Sequence, residues 1–153
     1  MLQFENLKLK NQLCFALYAA TNAITRAYRS RLSHIGLTYP QYLVMMVLWE
    51  TDGIAVKTIA EHLHLDSPTI TPLLKRLESA GLVSRQRSAS DERVVNVFLT
   101  GAGQLIQARV AEMQKSVACQ TGMAETQFIE LRSTLHELVD SINQNQPDMQ
   151  DAA

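Results

Sequence analysis

The run from Val56 to Thr100, VKTIAEHLHLDSPTITPLLKRLESAGLVSRQRSASDERVVNVFLT, most constrains what this chain can fold into. Apolar residues at Val56, Ile59, Ala60 and Leu63 mark one face of a short helix. Ile70, Leu73, Leu74, Leu77 and Ala80 mark a second helix after a brief turn at residues 64–66. Two helices separated by so tight a turn form a helix-turn-helix. Ser67 is the expected cap of the second helix, Pro68 suits its first turn, and Gly81 stands where a helix stops. With Ile70, Leu74 and Leu77 turned inward, the outer face is expected to carry Ser67, Thr71 and Lys75, with Thr69 and Arg76 at its margins. These are small or cationic donors suited to a groove. Pro72 is the local conflict: one turn inside the helix, its missing N–H forfeits a bond to the Pro68 carbonyl, a cost reduced near a helix start, and it is either a deliberately shaped reading end or simply tolerated.

Two β-rich runs follow, Leu82 to Arg87 and Val94 to Leu99, and the polar loop between them brings Arg85, Arg87 and Arg93 near a hairpin tip. A basic hairpin beside a helix with such an outer face is a winged helix-turn-helix, whose partner is double-stranded DNA. The six Lys/Arg of the run are opposed by five Asp/Glu, so charge alone also fits a solvated surface. What favours DNA is the agreement of helix ends, turn, outer face and wing. Asp91 either pairs with Arg93 to hold the hairpin or orients it toward DNA.

The flanks read as long helices. Leu13, Leu17, Ala20, Ile24, Ala27 and Leu32 recur at helical spacing between Asn11 and Leu32, with Cys14, Tyr18, Thr21 and Tyr28 on the flank. Thr38 and Gln41 form a capping box opening a helix through about Glu50, whose YLVMMVLW run is apolar all round and belongs in the core. Met45 and Met46 within it read as packing. Beyond the wing, Ile106, Val110, Met113 and Val117 lie in a helix from Gly101 to Ala118. Phe128, Leu131, Leu135, Leu138 and Ile142 lie in another from Glu125 to Ile142. Their alternating spacings of three and four make a coiled-coil-like seam, and a small winged core gives such helices little to pack on within one chain. The expected architecture is therefore mainly α with a small β-hairpin wing, a single domain over residues 1–153. Its winged core spans about 38–100, and homodimerising helices span about 5–35 and 101–144. A polar tail from Asn143 to Ala153 is expected to fray.

With 153 residues and 46% hydrophobic content, the chain can bury one sizeable core. Its net charge of −1 is unevenly spread: residues 1–53 carry +2, residues 54–100 carry +1 and residues 101–153 carry −4. Positive charge thus gathers where DNA would lie. The longest apolar run, Leu43 to Trp49, is too short to span a bilayer, and no secretory signal opens the chain, so a cytoplasmic protein without a membrane partner is expected. His62 and His64, two residues apart, point to different sides of a helix and make no metal site. Neither a phosphate-binding glycine loop nor a hydrolase triad signature is present, and no cofactor or enzymatic activity is expected. Cys14 and Cys119, in a reducing compartment, are either buried hydrophobes or redox chemistry.

DERVVNVFLT at residues 91–100 resembles the wing signature of MarR-family transcriptional regulators, with Asp91, Arg93, Val97, Leu99 and Thr100 at the recurring positions. LCFALYAA at 13–20, GLTYPQYLV at 36–44 and TPLLKRLE at 71–78 are similar to the OhrR branch, the organic-hydroperoxide sensors; Pro68 departs from the small residue, such as Gly, found in many relatives. The resemblance implies a homodimeric repressor on an inverted-repeat operator, released when an organic hydroperoxide oxidises the cysteine at the position of Cys14. Tyrosines at the positions of Tyr18 and Tyr28 are implied to hydrogen-bond that sulfur, and Cys119 is similar to a resolving cysteine that would join Cys14 of the other chain. Tyr18 is one turn from Cys14 on the same face. Tyr28, about 21 Å along a straight helix, reaches Cys14 only from a partner chain. An ordinary thiol titrates near ~8.5, so a sensing one needs help to become a thiolate. The competing reading in the same fold is a repressor released by a small phenolic ligand, with both cysteines incidental. A peroxide-consuming thiol enzyme would leave the wing without a role.

Overall fold

The computed structural model describes residues 4–145. After 3-10 turns at Glu5–Leu7 and Leu9–Asn11, helix α1 runs from Leu13 to Leu32 and ends in a 3-10 turn at Ser33–Ile35, closed by Gly36 at φ 83°. Helix α2, Tyr39–Glu50, opens on the expected capping box: the Gln41 N–H donates to Thr38 Oγ1 at 3.5 Å, and the Thr38 N–H donates to Gln41 Oε1 at 2.8 Å. Short strand β1, Ile54–Ala55, leads into α3, Val56–His62, and α4, Ser67–Ser79. The wing is β2, Val83–Arg87, and β3, Val95–Leu99. Helices α5, Gly101–Leu105, α6, Gln107–Gln120, and α7, Glu125–Gln144, complete the chain.

The apolar periodicity forms one core. Val44, Met45 and Leu48 of α2 are fully buried with Ile59 of α3, Ile70, Leu74 and Leu77 of α4, and Val83 and Val97 of the wing. Leu32, Val110, Met113 and Val117 join them. Each such side chain contributes about 1.5–3 kcal/mol on burial. The sheet is antiparallel in the order β1-β3-β2, with Val83 opposite Leu99, Arg85 opposite Val97 and Arg87 opposite Val95. Because side chains alternate along a strand, the face that is apolar at Val83 becomes cationic at Arg85 and Arg87 as the hairpin leaves the helices. The core thereby sets which way the wing presents its charges.

Several local expectations are corrected. Asp66, not Ser67, caps α4: its backbone is extended (φ −86°, ψ 158°) and its Oδ1 accepts the Thr69 N–H at 2.9 Å, leaving Ser67 as the first helical residue. The helix after the wing is two helices, broken at Ile106, and Thr100 caps the first by accepting the Gly103 N–H at 3.1 Å. Strand β1 was not expected; two residues are too few to show a period, and they become a strand only by pairing with Val97 and Asn96. Helix α7 continues through Gln144, past the expected start of the frayed tail, and the rest of that tail lies outside the described residues.

The described chain divides into two compact units, the first ending at Val117 and the second beginning at Ala118. In the first, the amino-terminal part of α1 leaves Leu13 60% and Tyr18 65% exposed. In the second, α7 has no buried side chain and exposes Ile129, Leu131, Val139 and Ile142. No helix among the described residues is long and apolar enough to cross a membrane.

Candidate functional site

Helix α4 turns its faces differently from the sequence expectation. At 100° per residue, the buried Ile70, Leu74 and Leu77 define the inner side, and the opposite side is centred on Pro68, Pro72, Lys75 and Ser79, all exposed. Thr69 and Arg76 flank it on one margin. Ser67 and Thr71 lie on the other, turned toward the wing rather than outward. There the Thr71 hydroxyl donates back to the Ser67 carbonyl at 2.9 Å. Together with Lys57 and Thr58 of α3 and Arg85 and Arg93 of the wing, Ser67 and Thr71 line an open groove of about 470 Å³.

The arginines of the wing have distinct roles. Arg85 is clamped to Glu78 of α4, donating from Nε at 2.9 Å and Nη2 at 2.6 Å to the same carboxylate oxygen, Oε2, while its N–H reaches Oε1 at 3.2 Å. These hydrogen bonds from Arg85, side chain first, hold the Glu78 carboxyl below the ordinary glutamate value. The guanidinium of Arg85 therefore ties the wing to α4. Arg87 donates to the Glu92 carbonyl at 3.2 Å across the hairpin tip. Asp91 Oδ1 accepts the Arg93 backbone N–H at 3.0 Å, which shapes the loop, and among the described residues no carboxylate pairs with the Arg93 guanidinium. Arg93, Lys75 and Arg76 are exposed cations on the α4 and wing surface.

The candidate thiols lie elsewhere. Cys14 is exposed and is the second residue of the twenty-residue α1. Tyr18, one turn on, lies against Phe15 with ring centroids 6.4 Å apart and the planes tilted by 32°. Tyr28, near the other end of α1, enters an aromatic cluster with Tyr39 at 5.3 Å and Tyr42 at 5.4 Å. Burial raises the hydroxyl pKa of both Tyr39 and Tyr42, with Tyr28 adding to each shift. These two phenols thus stay protonated and able to donate. Cys119, also exposed, is the second-last residue of α6 and, with Met123, Phe128, Ile129 and Arg132, lines an open depression of about 490 Å³ in the second unit.

Sequence reading missed Lys57, Glu78, Tyr39 and Tyr42. Tyr39 and Tyr42 form an i, i+3 aromatic pair in plain view, but only the crossing of α1 and α2 brings Tyr28 to them. Among the described residues, no group of three or more His, Cys, Asp or Glu is placed to hold a metal ion.

A family profile described as the MarR family matches residues 37–95. The chain is 48% identical over 135 residues to the HTH-type transcriptional regulator TtmR of Methylorubrum extorquens (strain PA1), covering 88% of this chain and 69% of that one. It is 39% identical over 142 residues to the organic hydroperoxide resistance transcriptional regulator of Bacillus subtilis (strain 168), covering 93% of this chain and 97% of the other. Among solved structures, reduced AbfR bound to DNA matches with a TM-score of 0.80 at 37% identity, over 94% of this chain and 98% of that one. AbfR, from Staphylococcus epidermidis, has also been solved with its disulfide formed; that structure matches with a TM-score of 0.64 at 37% identity, over 92% and 93% of the two chains.

Proposed function

The chain belongs to the MarR family of transcriptional regulators, and we propose that it is a homodimeric repressor that leaves its operator when an organic hydroperoxide oxidises Cys14. The observation that carries this reading is the exposed Cys14 thiol in the first turn of α1, in a chain that otherwise presents a DNA-reading head. Unpaired N–H groups and the helix dipole at that end favour a developing anion. The names of the B. subtilis relative and of the AbfR structures support it.

Two copies are supported by the apolar side chains that α1 and α7 leave exposed. A dimer carries two reading heads, so the operator is an inverted repeat with half-sites about 10 bp apart centre to centre. Helix α4 enters the major groove with Thr69, Lys75 and Arg76, while Ser67 and Thr71 face the groove beside the wing. Arg93 and Arg87 approach the backbone or the flanking minor groove, with Asp91 shaping the loop that carries Arg93. Arg85 acts through Glu78 by fixing the wing on α4.

The chemistry begins when the Cys14 thiolate attacks the terminal oxygen of the hydroperoxide. An S–O bond forms, the O–O bond breaks, and the alkoxide leaves and is protonated to the alcohol, so the peroxide is reduced and Cys14 becomes a sulfenic acid. The Cys119 thiolate of the other chain then attacks that sulfur; an S–S bond forms and hydroxide departs as water. Tyr18 from the same helix, and Tyr28 with Tyr39 from the partner, supply hydroxyl donors to the reacting sulfur. Cys14→Ser should bind operator as the parent does and no longer release it on treatment with cumene hydroperoxide, read by gel shift. Normal release by Cys14→Ser would sink the redox reading and leave a small-molecule inducer.

A further inference from the structure

We propose that Pro68 and Pro72 form an apolar reading element that contacts thymine methyl groups in the major groove, an inference that rests on the operator-binding reading above. Both prolines are exposed and lie about 40° apart around α4, at the centre of the side opposite Ile70, Leu74 and Leu77. Everything else on that side is polar or cationic: Lys75 and Ser79 on the line of the prolines, Thr69 and Arg76 at its margin. The pair is therefore a small apolar island in a face otherwise built for phosphates and polar base edges.

Among the described residues no packing accounts for it. A proline at the second helical position is tolerated, since its N–H would lack a partner there. Pro72 is different: it is the sixth residue of a helix that continues to Ser79, and it removes the donor that would reach the Pro68 carbonyl. A residue that weakens a helix ordinarily compensates by packing, and neither ring is buried. The return must come from outside the chain, and this helix face is the one the groove would meet.

The chemistry of the groove then selects the target. Proline has no side-chain donor or acceptor, so it cannot pair with guanine N7 or O6, adenine N7 or N6, or cytosine N4. The one apolar feature on the major-groove edges is the C5-methyl group of thymine. Residues four apart on a helix have Cβ atoms about 5–6 Å apart, and successive bases rise about 3.4 Å along a strand, so the two rings span one to two base steps. Each half-site should therefore hold at least one thymine whose methyl matters.

The test uses the reduced full-length chain to select an operator from a randomised duplex pool, followed by replacement of each half-site thymine by uracil, which removes only the methyl. For the parent protein, at least one replacement per half-site should weaken binding about fourfold, the equivalent of one methyl group no longer buried. Pro72→Ser, Pro68→Gly or the double variant should bind thymine and uracil operators equally at that position. Pro72→Ser restores a helix N–H and should melt no lower than the parent, so misfolding does not confuse the result. Uracil replacements that are silent throughout an enriched operator, or discrimination that persists in the double variant, would overturn the inference while leaving operator binding intact. A pool yielding no enriched sequence would overturn the operator reading and this inference with it.

Discussion

Gly103 is the most closely packed glycine among the described residues, and Gly103→Ala should be costly despite lying in a helix. A Cβ added there would sit 2.1 Å from the Leu82 carbonyl oxygen and 3.1 Å from its carbon, backbone atoms that cannot rotate away. Relief requires α5 to move by roughly 1 Å, which corresponds to overpacking at about 1–3 kcal/mol. The movement also strains a local network. Leu82 O accepts the Thr100 N–H at 3.1 Å, the Thr100 hydroxyl donates to Gly81 O at 2.6 Å, and Trp49 Nε1 donates to Gly103 O at 3.0 Å. Losing one or two such bonds adds about 1 kcal/mol each. The better helix propensity of alanine returns about 1 kcal/mol. The net loss is about 1–4 kcal/mol, which at about 2–4 °C per kcal/mol lowers the melting midpoint by about 2–16 °C. Thermal denaturation at fixed protein concentration measures it, since dimerisation makes the midpoint concentration-dependent. Gly101→Ala is the control, because its Cβ would meet nothing within 4 Å. A Gly103→Ala midpoint equal to that of the Gly101→Ala control would refute the close-packing reasoning.

Three further outcomes are expected. Arg93→Ala should weaken operator binding across sequences and flatten the slope of log affinity against log salt by about one unit, and an unchanged slope would place Arg93 away from the DNA. Because Arg85 depresses the Glu78 pKa in the folded chain, that pair stabilises above the ordinary glutamate value of 4.5 and is lost as pH falls below it through the depressed folded value. Glu78→Gln should therefore be less stable than the parent at neutral pH and show a smaller loss on acidification below pH 4.5, with a constant difference between the two at all pH values counting against the clamp. Hydroperoxide-treated parent protein should run as a reducible dimer on non-reducing gels, while Cys119→Ser runs as a monomer and over-oxidises at Cys14; a parent that stays monomeric yet loses DNA would exclude the interchain bond.

How much of this was legible in the sequence depends on the range of the interaction concerned. The capping box at Thr38 and Gln41 is a contact across three residues, and it formed as read. The inward positions Ile59, Ile70, Leu74 and Leu77 were likewise legible, because a helix period needs no knowledge of what lies opposite. What sequence reading leaves out arises where a second element decides. The clamp on Arg85 appears only when the hairpin folds back and Glu78, seven residues earlier, accepts from its guanidinium. Strand β1 exists only because β3 offers an edge to Ile54 and Ala55. Tyr39 and Tyr42 matter only once α1 crosses α2 and delivers Tyr28.

The outer face of α4 is the instructive exception, since a helix wheel drawn from the same buried residues already puts the prolines at its centre. From the sequence, Thr71 is expected on the outer face because small donors suit a groove, and Pro72 is a local conflict that is either a shaped reading end or simple tolerance. Geometry ranks them the other way. Thr71 faces the wing with its hydroxyl proton committed to Ser67, while Pro68 and Pro72 face out. If α4 reads the operator as proposed, its outer line offers two apolar rings beside Lys75 and Ser79, so its base preference should respond to loss of a thymine methyl as well as to loss of a hydrogen-bonding group.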